Sequence, residues 1–274
     1  MTSDFSPAIA YSIEHAKSLI SGRKLLALTG AGISTDSGIP DYRGEGRVQK
    51  HPLTFDEFMN SELNRARYWA RSFIGFRRIQ NAQVNPGHQA LSAAEASGQL
   101  AGIITQNVDG LHQKAGSKNV IELHGRLDRI VCVGCQSTIT RDDINQRISE
   151  INPNLSESLD VEFSPDGDAE IDVPLNFRVP DCSCGRHYKP DVVFFGEQVP
   201  RDRVAQAELW VSESEAVLVA GSSLTVNSGL RLVKQAVSQG KPAIVVNLGP
   251  TKADSFIDAK INCSTSIALK ELFN

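Results

Sequence analysis

Short apolar runs that alternate with helical segments constrain the fold of this chain more than any other feature. Lys24 to Thr29 reads KLLALT and ends directly on Gly30. Comparable runs lie at 103–105, 120–123, 216–220 and 243–247, and segments with helical spacing include 9–20, 88–96 and 228–239. Short runs that are apolar throughout are typical of strands buried on both faces of a parallel sheet. The alternation therefore predicts an α/β fold with right-handed crossovers between parallel strands.

Composition narrows the class of protein further. The 274 residues suffice for one large domain or two modest ones, and a net charge of −4 argues against a general nucleic-acid binder. No apolar stretch approaches the roughly 18 to 20 residues that span a bilayer, and no basic start is followed by an apolar run. We therefore expect no membrane partner, no direct nucleic-acid binding and a cytoplasmic location.

Two segments interrupt the α/β alternation. Residues 41–84 combine helical spacing with several arginines, most of which are expected to be solvated around a small helical core. Residues 142–172 carry ten acidic residues and one basic residue, a net charge of −9. We expect this acidic segment to be a hydrated, partly mobile insertion.

A glycine-rich turn follows the first predicted strand. Residues 30–44 read GAGISTDSGIPDYRG, in which backbone N–H groups can approach a phosphate and Ser34 and Thr35 can add hydroxyl donors. The turn differs from the dinucleotide fingerprint G-x-G-x-x-G, because Thr35 stands at the third glycine position. A glycine-rich turn without a ligand remains an alternative.

Polar residues also follow two later strands of the predicted sheet. Gln106, Asn107 and Asp109 belong to TQNVDGLH, and His124 belongs to ELHG. Amide and carboxylate groups suit ribose hydroxyls and a carboxamide, while a histidine with a pKa near neutrality can accept a proton from a hydroxyl. A capped loop and a structural histidine are the alternatives. GSSL at 221–224 and Asn247-Leu248-Gly249 end two further strands, so four strands deliver polar or glycine residues to one sheet edge.

Four of the five cysteines form two tight groups, Cys132 with Cys135 and Cys182 with Cys184. Paired cysteine groups of this kind predict a tetrahedral zinc site that holds a small module together. His187 is an alternative ligand, and a redox pair at Cys132 and Cys135 is a competing interpretation. The second group is one residue shorter than the usual C-x-x-C spacing.

Taken together, GAGIS…SGIPDYRG, TQNVDGLH, ELHG, the cysteine groups, KPDVVFFGE, GSSL and VVNLG resemble the sirtuins, the NAD-dependent protein lysine deacylases. The resemblance extends from Lys24 to about Cys263 in the family's order. RYWARSF, PDYR, PDGDAE and KPDVVFFGE are most similar to the class II branch. Tyr68 and Arg71 fit a Tyr-x-x-Arg pattern that other sirtuins use for succinyl or malonyl groups, but their placement before residues 85–88 matches that branch poorly.

The resemblance implies a Rossmann-like NAD-binding domain made of residues 1–40, 85–125 and 190–274. It also implies a smaller domain made of a helical insertion at 41–84 and a zinc-binding insertion at 126–189, with an acyl-lysine peptide bound in the cleft between the two domains. One structural zinc ion would be held by Cys132, Cys135, Cys182 and Cys184.

The resemblance also assigns roles to individual residues. His124, Asn107 and Asp109 would be catalytic. The NAD-binding residues would be Gly30, Ala31, Gly32, Ser34, Thr35, Ile39, Pro40, Asp41, Tyr42, Arg43, Gln106, Asn107, Val108, Asp109, Gly221, Ser222, Ser223, Asn247, Leu248, Gly249 and Cys263. The peptide-binding residues would be Val193, Phe194, Phe195, Gly196, Glu197, Leu224 and Val226.

The implied reaction releases nicotinamide, O-acyl-ADP-ribose and free lysine. The acyl-lysine oxygen displaces nicotinamide, and His124 then takes a proton from the ribose hydroxyls. A protein mono-ADP-ribosyltransferase that uses the same NAD site is the alternative activity. A non-catalytic module that senses NAD is a third interpretation, which the catalytic-type residues disfavour.

Overall fold

The computed structural model describes residues 6–42, 52–153 and 176–273. Its main sheet has six parallel strands in the order β3-β2-β1-β7-β8-β9. These strands are β1 (Leu25–Thr29), β2 (Leu100–Thr105), β3 (Val120–Glu122), β7 (Ala216–Ala220), β8 (Ala243–Val246) and β9 (Ala259–Ile261). A second sheet contains β4 (Gly125–Cys132), β5 (Thr138–Thr140) and β6 (Tyr188–Val192).

Nine α-helices accompany the two sheets in the described part of the chain. They are α1 (Pro7–Ile20), α2 (Phe55–Asn60), α3 (Glu62–Asn81), α4 (Pro86–Ala96), α5 (Leu111–Lys114), α6 (Arg141–Ile151), α7 (Arg201–Glu213), α8 (Asn227–Ser238) and α9 (Thr265–Phe273). None of these helices is long and apolar enough to cross a membrane.

The main sheet is buried on both faces, which confirms the α/β expectation. Along β1, Leu25 and Ala27 pack with α1, α4 and α9, whereas Leu26 and Leu28 pack with α7 and α8. All five β1 residues are buried, so every position is apolar except Thr29 at the strand end. Continuous apolar runs arise in parallel strands because neither face meets water. Burial of both faces of the sheet by helices is therefore the physical reason why apolar runs alternate with helical segments in the sequence.

One strand of the main sheet was not predicted. Strand β9 has only three residues and lies at the edge of the sheet, where it pairs with β8 from Ile244 to Val246. Its central Lys260 is half-buried and forms an ion pair with Asp254 at 2.5 Å. A charged residue within so short a segment leaves no apolar run to detect, and tertiary pairing with β8 makes it a strand.

A smaller unit packs the helical and cysteine-containing insertions around one core. Its antiparallel sheet has the order β5-β4-β6, and α2, α3 and α6 share a single hydrophobic cluster with it. Trp69 of α3 is fully buried and donates to the Tyr188 carbonyl across 3.3 Å. From α6, the buried Arg141 guanidinium donates to the Ser72 carbonyl at 2.7 Å and lies 4.5 Å from the centre of the Phe76 ring. The two insertions therefore form one structural unit.

The predicted boundary between residues 189 and 190 falls inside strand β6. Strand β6 pairs with β4 as far as Val192, and both Val192 and Phe194 belong to the core of the smaller unit. Because backbone pairing and the apolar cluster both continue past 189, we propose that the smaller unit extends to about residue 194. Most of the acidic segment lies outside the described residues; its first part forms α6, whose Thr140 cap bonds reciprocally with Asp143.

The order of the main sheet brings the ends of β1 and β7 together. The chain runs outward from β1 to β2 and β3, then returns to β7 on the other side of β1. Ligands of open α/β sheets bind outside the carboxyl ends of the strands at such a switch point. The segments after Thr29 and Ala220 are therefore the place where a site is expected.

Candidate functional site

Three glycines allow the segments after β1 and β7 to touch. The Gly30 N–H donates to the Ala220 carbonyl at 3.1 Å, and the Gly32 N–H donates to the Gly221 carbonyl at 2.8 Å. A Cβ at Gly32 would lie 2.9 Å from the Gly221 Cα, and one at Gly221, which has φ of 66°, would lie 2.2 Å from the Ile33 nitrogen. The glycines are thus required for close packing of two backbones, whatever ligand the turn binds.

Ser34, Asn107 and Asp109 form a hydrogen-bonded cluster across the ends of β1 and β2. The Ser34 hydroxyl donates to the Asp109 carboxylate at 2.7 Å and accepts from the Asn107 amide at 3.1 Å. The other Asp109 oxygen accepts from the Leu111 N–H at 2.9 Å. Ser34 is fully buried, so its hydroxyl holds the two other side chains in this conformation instead of donating to a phosphate. Thr35 is exposed and donates to the Gly32 carbonyl.

Two buried histidines stand behind this cluster, and the sequence analysis did not single them out. His88 lies 3.5 Å from the Ser34 hydroxyl, and its ring centre is 5.0 Å from that of His112. The Thr29 hydroxyl donates to Thr105 at 2.9 Å and therefore accepts from His112 Nε2 at 2.8 Å. Because Nε2 carries the proton, His112 Nδ1 is a buried acceptor that has no hydrogen-bond partner among the described residues. The sequence contains a signal for His88, since it closes a capping box with Asn85.

Acidification is expected to destabilise the protein through His112. Burial lowers the pKa of His112 to about 3, and the His88 charge acts in the same direction. The unfolded chain takes up this proton near pH 6.5, so the stabilising effect is complete above pH 6.5 and declines as the pH falls towards 3. His112 should lower the free energy of unfolding by about 2 kcal/mol between pH 7.5 and 5.

Urea unfolding of wild type and His112→Gln at both pH values measures this effect. The difference in unfolding free energy between pH 7.5 and 5 should be smaller in the variant. His15→Gln, which changes an exposed histidine of α1, should behave like wild type. An identical pH dependence in wild type and His112→Gln would show that His112 is not the group responsible.

His124 lies directly after β3 with each ring nitrogen in a defined hydrogen bond. Nδ1 is 3.0 Å from the Gln106 carbonyl oxygen, and Nε2 is 2.8 Å from the Ser228 hydroxyl. A carbonyl only accepts, so Nδ1 carries the proton and Nε2 presents its lone pair. Burial is the main cause of a lowered pKa for His124; the Gln106 bond opposes it and the Arg203 charge adds to it. The ring is therefore neutral at pH 7 and equipped to accept a proton at Nε2.

Gln106 connects this histidine to the segment after β7. Its side-chain oxygen accepts from the Ser222 hydroxyl at 2.7 Å, and its backbone N–H donates to Thr29 at 2.9 Å. Ser222 is buried, whereas Ser223 is half-buried and lies 3.1 Å from the Thr225 hydroxyl. The ends of β1, β2 and β7 are consequently joined by side chains as well as by the sheet.

The segment that follows the glycine turn bridges the two units. Ile39 is buried in the core of the smaller unit, and Pro40 and Asp41 are half-buried after it. The exposed Tyr42 ring meets the Phe195 ring edge-on at 6.1 Å. Arg43, which the sequence analysis assigned to NAD binding, lies outside the described residues. Ala31 and Val108 are half-buried in the turn and in the segment after β2.

Residues 193–197 lie beside His124, and a buried ion pair shapes them. The Val193 N–H donates to the His124 carbonyl at 2.9 Å. Glu197 accepts from both Lys189 and the Phe194 N–H at 2.9 Å, while Phe194 packs with Phe58 and Tyr68. Gly196 is exposed, with a positive φ that closes the turn. Phe194 and Glu197 are therefore committed to holding the segment, and Phe195 is its exposed side chain.

The other predicted peptide and adenosine residues divide into buried and exposed groups. Leu224 is buried with a φ of 54°, whereas Val226 is exposed before α8. Asn247 is buried and donates to the Leu248 carbonyl at 2.7 Å. Leu248 and Gly249 are exposed at the end of β8, and Cys263 is buried after β9. Leu224, Asn247 and Cys263 can therefore face a ligand mainly through their backbones in this conformation.

The four predicted cysteines come together at the end of the smaller unit. The sulfur atoms of Cys132, Cys135, Cys182 and Cys184 all lie within 4.8 Å of one another. Zn–S distances of about 2.3 Å place tetrahedral sulfur ligands about 3.8 Å apart, so the set fits a closed zinc site. His187 is outside this set and bonds to Asp181 at 2.8 Å. The shortened second pair thus still places two sulfur atoms in the cluster, and the fourfold grouping favours a metal over a redox pair.

Comparison with known proteins supports one family. The sequence model of the Sir2 family matches residues 30–228. The chain is 45% identical over 258 residues to an NAD-dependent protein deacetylase of Mycobacterium avium (strain 104), and the aligned region covers 92% of each chain. It is 48% identical over 246 residues to an NAD-dependent protein deacylase of Monosiga brevicollis. That alignment covers 87% of this chain and 80% of the relative.

Solved structures agree with the sequence comparisons. A Sir2 structure with a p53 peptide and NAD+ superposes with a TM-score of 0.77 at 31% identity, covering 95% of this chain and 96% of the other. A Sir2 structure bound to an acetylated peptide gives 0.75 at 30% identity with the same coverage. The sheet order, the cysteine cluster and these similarities lead to one conclusion: the chain belongs to the Sir2 family, the sirtuins.

Proposed function

We propose that this protein is an NAD-dependent protein-lysine deacylase that releases nicotinamide, O-acyl-ADP-ribose and free lysine. One observation carries the proposal: His124 is half-buried and neutral, with Nε2 presented as an acceptor at the sheet edge that holds Asn107 and Asp109. The relatives named as NAD-dependent deacetylases and deacylases support it over most of the chain. Structures of Sir2 proteins with NAD and with acetylated peptide support the substrate classes.

The donor set at the switch point fits a dinucleotide. Backbone groups of the glycine turn, amide and carboxylate groups after β2, and Ser223 and Leu248 after β7 and β8 line one edge of the sheet. NAD, when bound, supplies the ADP-ribosyl group and nicotinamide as the leaving group. In this proposal the 30–35 turn binds the pyrophosphate, Asn107 and Asp109 bind the nicotinamide ribose and carboxamide, and residues 247–249 with Cys263 bind the adenosine end.

The protein's own groups divide the work at the reacting centre. Ser34 fixes Asn107 and Asp109 through two hydrogen bonds, so these side chains are oriented before substrate binds. His124 Nε2 is proposed to accept a ribose hydroxyl proton, which needs the neutral ring that burial favours. Residues 193–197 and 224–226 are proposed to flank an extended acyl-lysine peptide through backbone pairing, with Phe195 and Val226 as exposed contacts.

Zinc is assigned a structural role in the smaller unit. Four thiolates complete a tetrahedral coordination sphere, which leaves no open position for water or substrate. The cysteines close β4 and the segment before β6 over the core that contains Ile130 and Tyr188.

We also propose membership of the class II branch, supported by the similarity of RYWARSF and KPDVVFFGE.

A mass-spectrometric assay tests the proposed function. Purified protein is incubated with NAD and acetyl-, succinyl-, lipoyl- and long-chain-acyl-lysine peptides, and O-acyl-ADP-ribose is quantified for each peptide. We expect this product with at least one acyl group, and the preferred group identifies the substrate. Nicotinamide release with ADP-ribose attached to protein, and no peptide deacylation, would instead establish a mono-ADP-ribosyltransferase.

A further inference from the structure

Ser228 contacts the nitrogen of His124 that is used for proton transfer. Its hydroxyl lies 2.8 Å from Nε2 at the start of α8. The neighbouring Gly229 is packed tightly on the Gln106 side chain, because a Cβ there would lie 2.7 Å from the Gln106 Nε2. Gln106 also holds the other His124 nitrogen through its carbonyl. The start of α8 is therefore docked on the residue that orients the histidine, and this docking places Ser228 at Nε2.

A hydroxyl is suited to both protonation states of the histidine. While Nε2 has its lone pair, the Ser228 O–H donates to it. Once the Ser228 proton has passed to Nε2 and the oxygen has taken a proton from the ribose hydroxyl, the same oxygen accepts the hydrogen bond from Nε2–H. Hydrogen bonds from a charged donor are stronger than neutral ones, so the second arrangement gains more than the first loses. No backbone movement is needed, since the proton moves along the existing hydrogen bond between Ser228 and Nε2.

The surroundings of His124 make this partner important. The protonated ring would be partly desolvated, and the Arg203 guanidinium on α7 is the charged group that acts on it in the described part of the chain. Arg203 is held by Asp191, which accepts from it at 2.8 Å and also pairs with Arg129. In the described part of the chain, the ring nitrogens of His124 thus bond to the Gln106 carbonyl after β2 and to Ser228 from α8, while the Arg203 charge acts on the ring from α7. Among them Ser228 is the group that can stabilise a proton on Nε2.

We propose that Ser228 relays the proton to His124: its oxygen takes the proton of the ribose hydroxyl as its own O–H proton passes to Nε2, and the same oxygen then accepts the hydrogen bond from Nε2–H. This inference rests on the proposed function, in which His124 is the base. It assigns a chemical role to Ser228, for which no role was predicted from the sequence. Nicotinamide release precedes the proton transfer and does not need the base, so Ser228 acts on the later step alone.

Kinetics of Ser228→Ala, Ser228→Thr and Ser238→Ala test the proposal. Ser238 is a matched control because it lies at the other end of α8 and bonds to the Gln235 carbonyl. We expect Ser228→Ala to slow O-acyl-ADP-ribose formation by about 10- to 100-fold while exchange of labelled nicotinamide into NAD continues near the wild-type rate. Ser228→Thr should recover most of the rate. Equal losses in both reactions, or no loss in either, would overturn the proposal.

A second measurement is independent of activity. An NMR titration of the histidine ring protons, with His124 assigned by its absence in His124→Gln, gives the pKa of His124 in each variant. Loss of the Ser228 partner should lower this pKa by about 0.5 to 1 unit, since the bond to the charged ring is the stronger one. An unchanged pKa would overturn the Ser228 role. A lowered pKa in a protein without deacylase activity would instead locate the failure in the proposed function.

Discussion

Replacement of His124 by glutamine should lower deacylation by about 100- to 10,000-fold, because glutamine has no group that accepts a proton at neutral pH. The glutamine amide can still fill the space between Gln106 and Ser228, so the loss should fall on kcat for O-acyl-ADP-ribose release. In wild type the acid limb of the pH–rate profile should lie below pH 6.5, since burial lowers the pKa of His124 and the base is active when unprotonated.

His15→Gln provides the matched control for this measurement. His15 is exposed on α1 and stacks on Tyr11 far along the chain from the sheet edge. Its rate and pH profile should equal those of wild type. NAD binding should persist in His124→Gln, as measured by titrating a competing ligand against bound NAD. A wild-type rate of product release in His124→Gln would eliminate the histidine as the base and the mechanism with it.

Loss of zinc should unfold the smaller unit while the main sheet remains. Structural zinc sites contribute on the order of 10 kcal/mol of apparent binding free energy to folding. In Cys132→Ser or after chelation, hydrogen exchange should accelerate across β4, β5 and β6, where the cysteines cross-link the antiparallel sheet. Protection in β1 and β7 should persist, because those strands pack in two separate clusters.

Cys263→Ser is the control for the zinc experiment. Cys263 is buried in the main unit and lies outside the fourfold sulfur cluster. This variant should bind one zinc ion per chain by elemental analysis and exchange like wild type in β4 to β6. Stoichiometric zinc in Cys132→Ser, or rapid exchange confined to β1 and β7, would contradict the assignment of the metal to the four cysteines.

The local sequence pattern was sufficient to predict most of the main sheet and the cysteine cluster. Strand β7 was predicted with its observed limits. A parallel strand buried on both faces is apolar at every position, and the five residues of β7 are all apolar. The cysteine cluster was also predicted, because a structural zinc site built from thiolates commonly uses closely spaced cysteine pairs, and these are visible in the sequence. Strand β9 was not predicted, as its burial depends on pairing with β8 and not on its own residues.

The chemistry of His124 illustrates the limit of pattern. The position of a histidine after a strand is visible in ELHG, but its tautomer depends on a carbonyl 18 residues away and a serine 104 residues away. Likewise, the Ser34 hydroxyl was predicted to donate a hydrogen bond to a phosphate. In the folded chain this hydroxyl is buried and donates to Asp109. The residue type determines which hydrogen bonds a side chain can donate or accept. The actual hydrogen-bond partners depend on which strand ends the fold brings together.

The division between sequence and structure follows from the range of the interactions. Strand burial, glycine turns and cysteine spacing involve residues that are close in the sequence. They were therefore sufficient to predict the fold class, the family resemblance and the cysteine cluster proposed to bind zinc. The β1–β7 switch point, the neutral state of His124, and the contacts of Ser228 and Arg203 arise from residues distant in the chain. Desolvation and hydrogen-bond partners exist only once these segments pack together, and for that reason they required the folded chain.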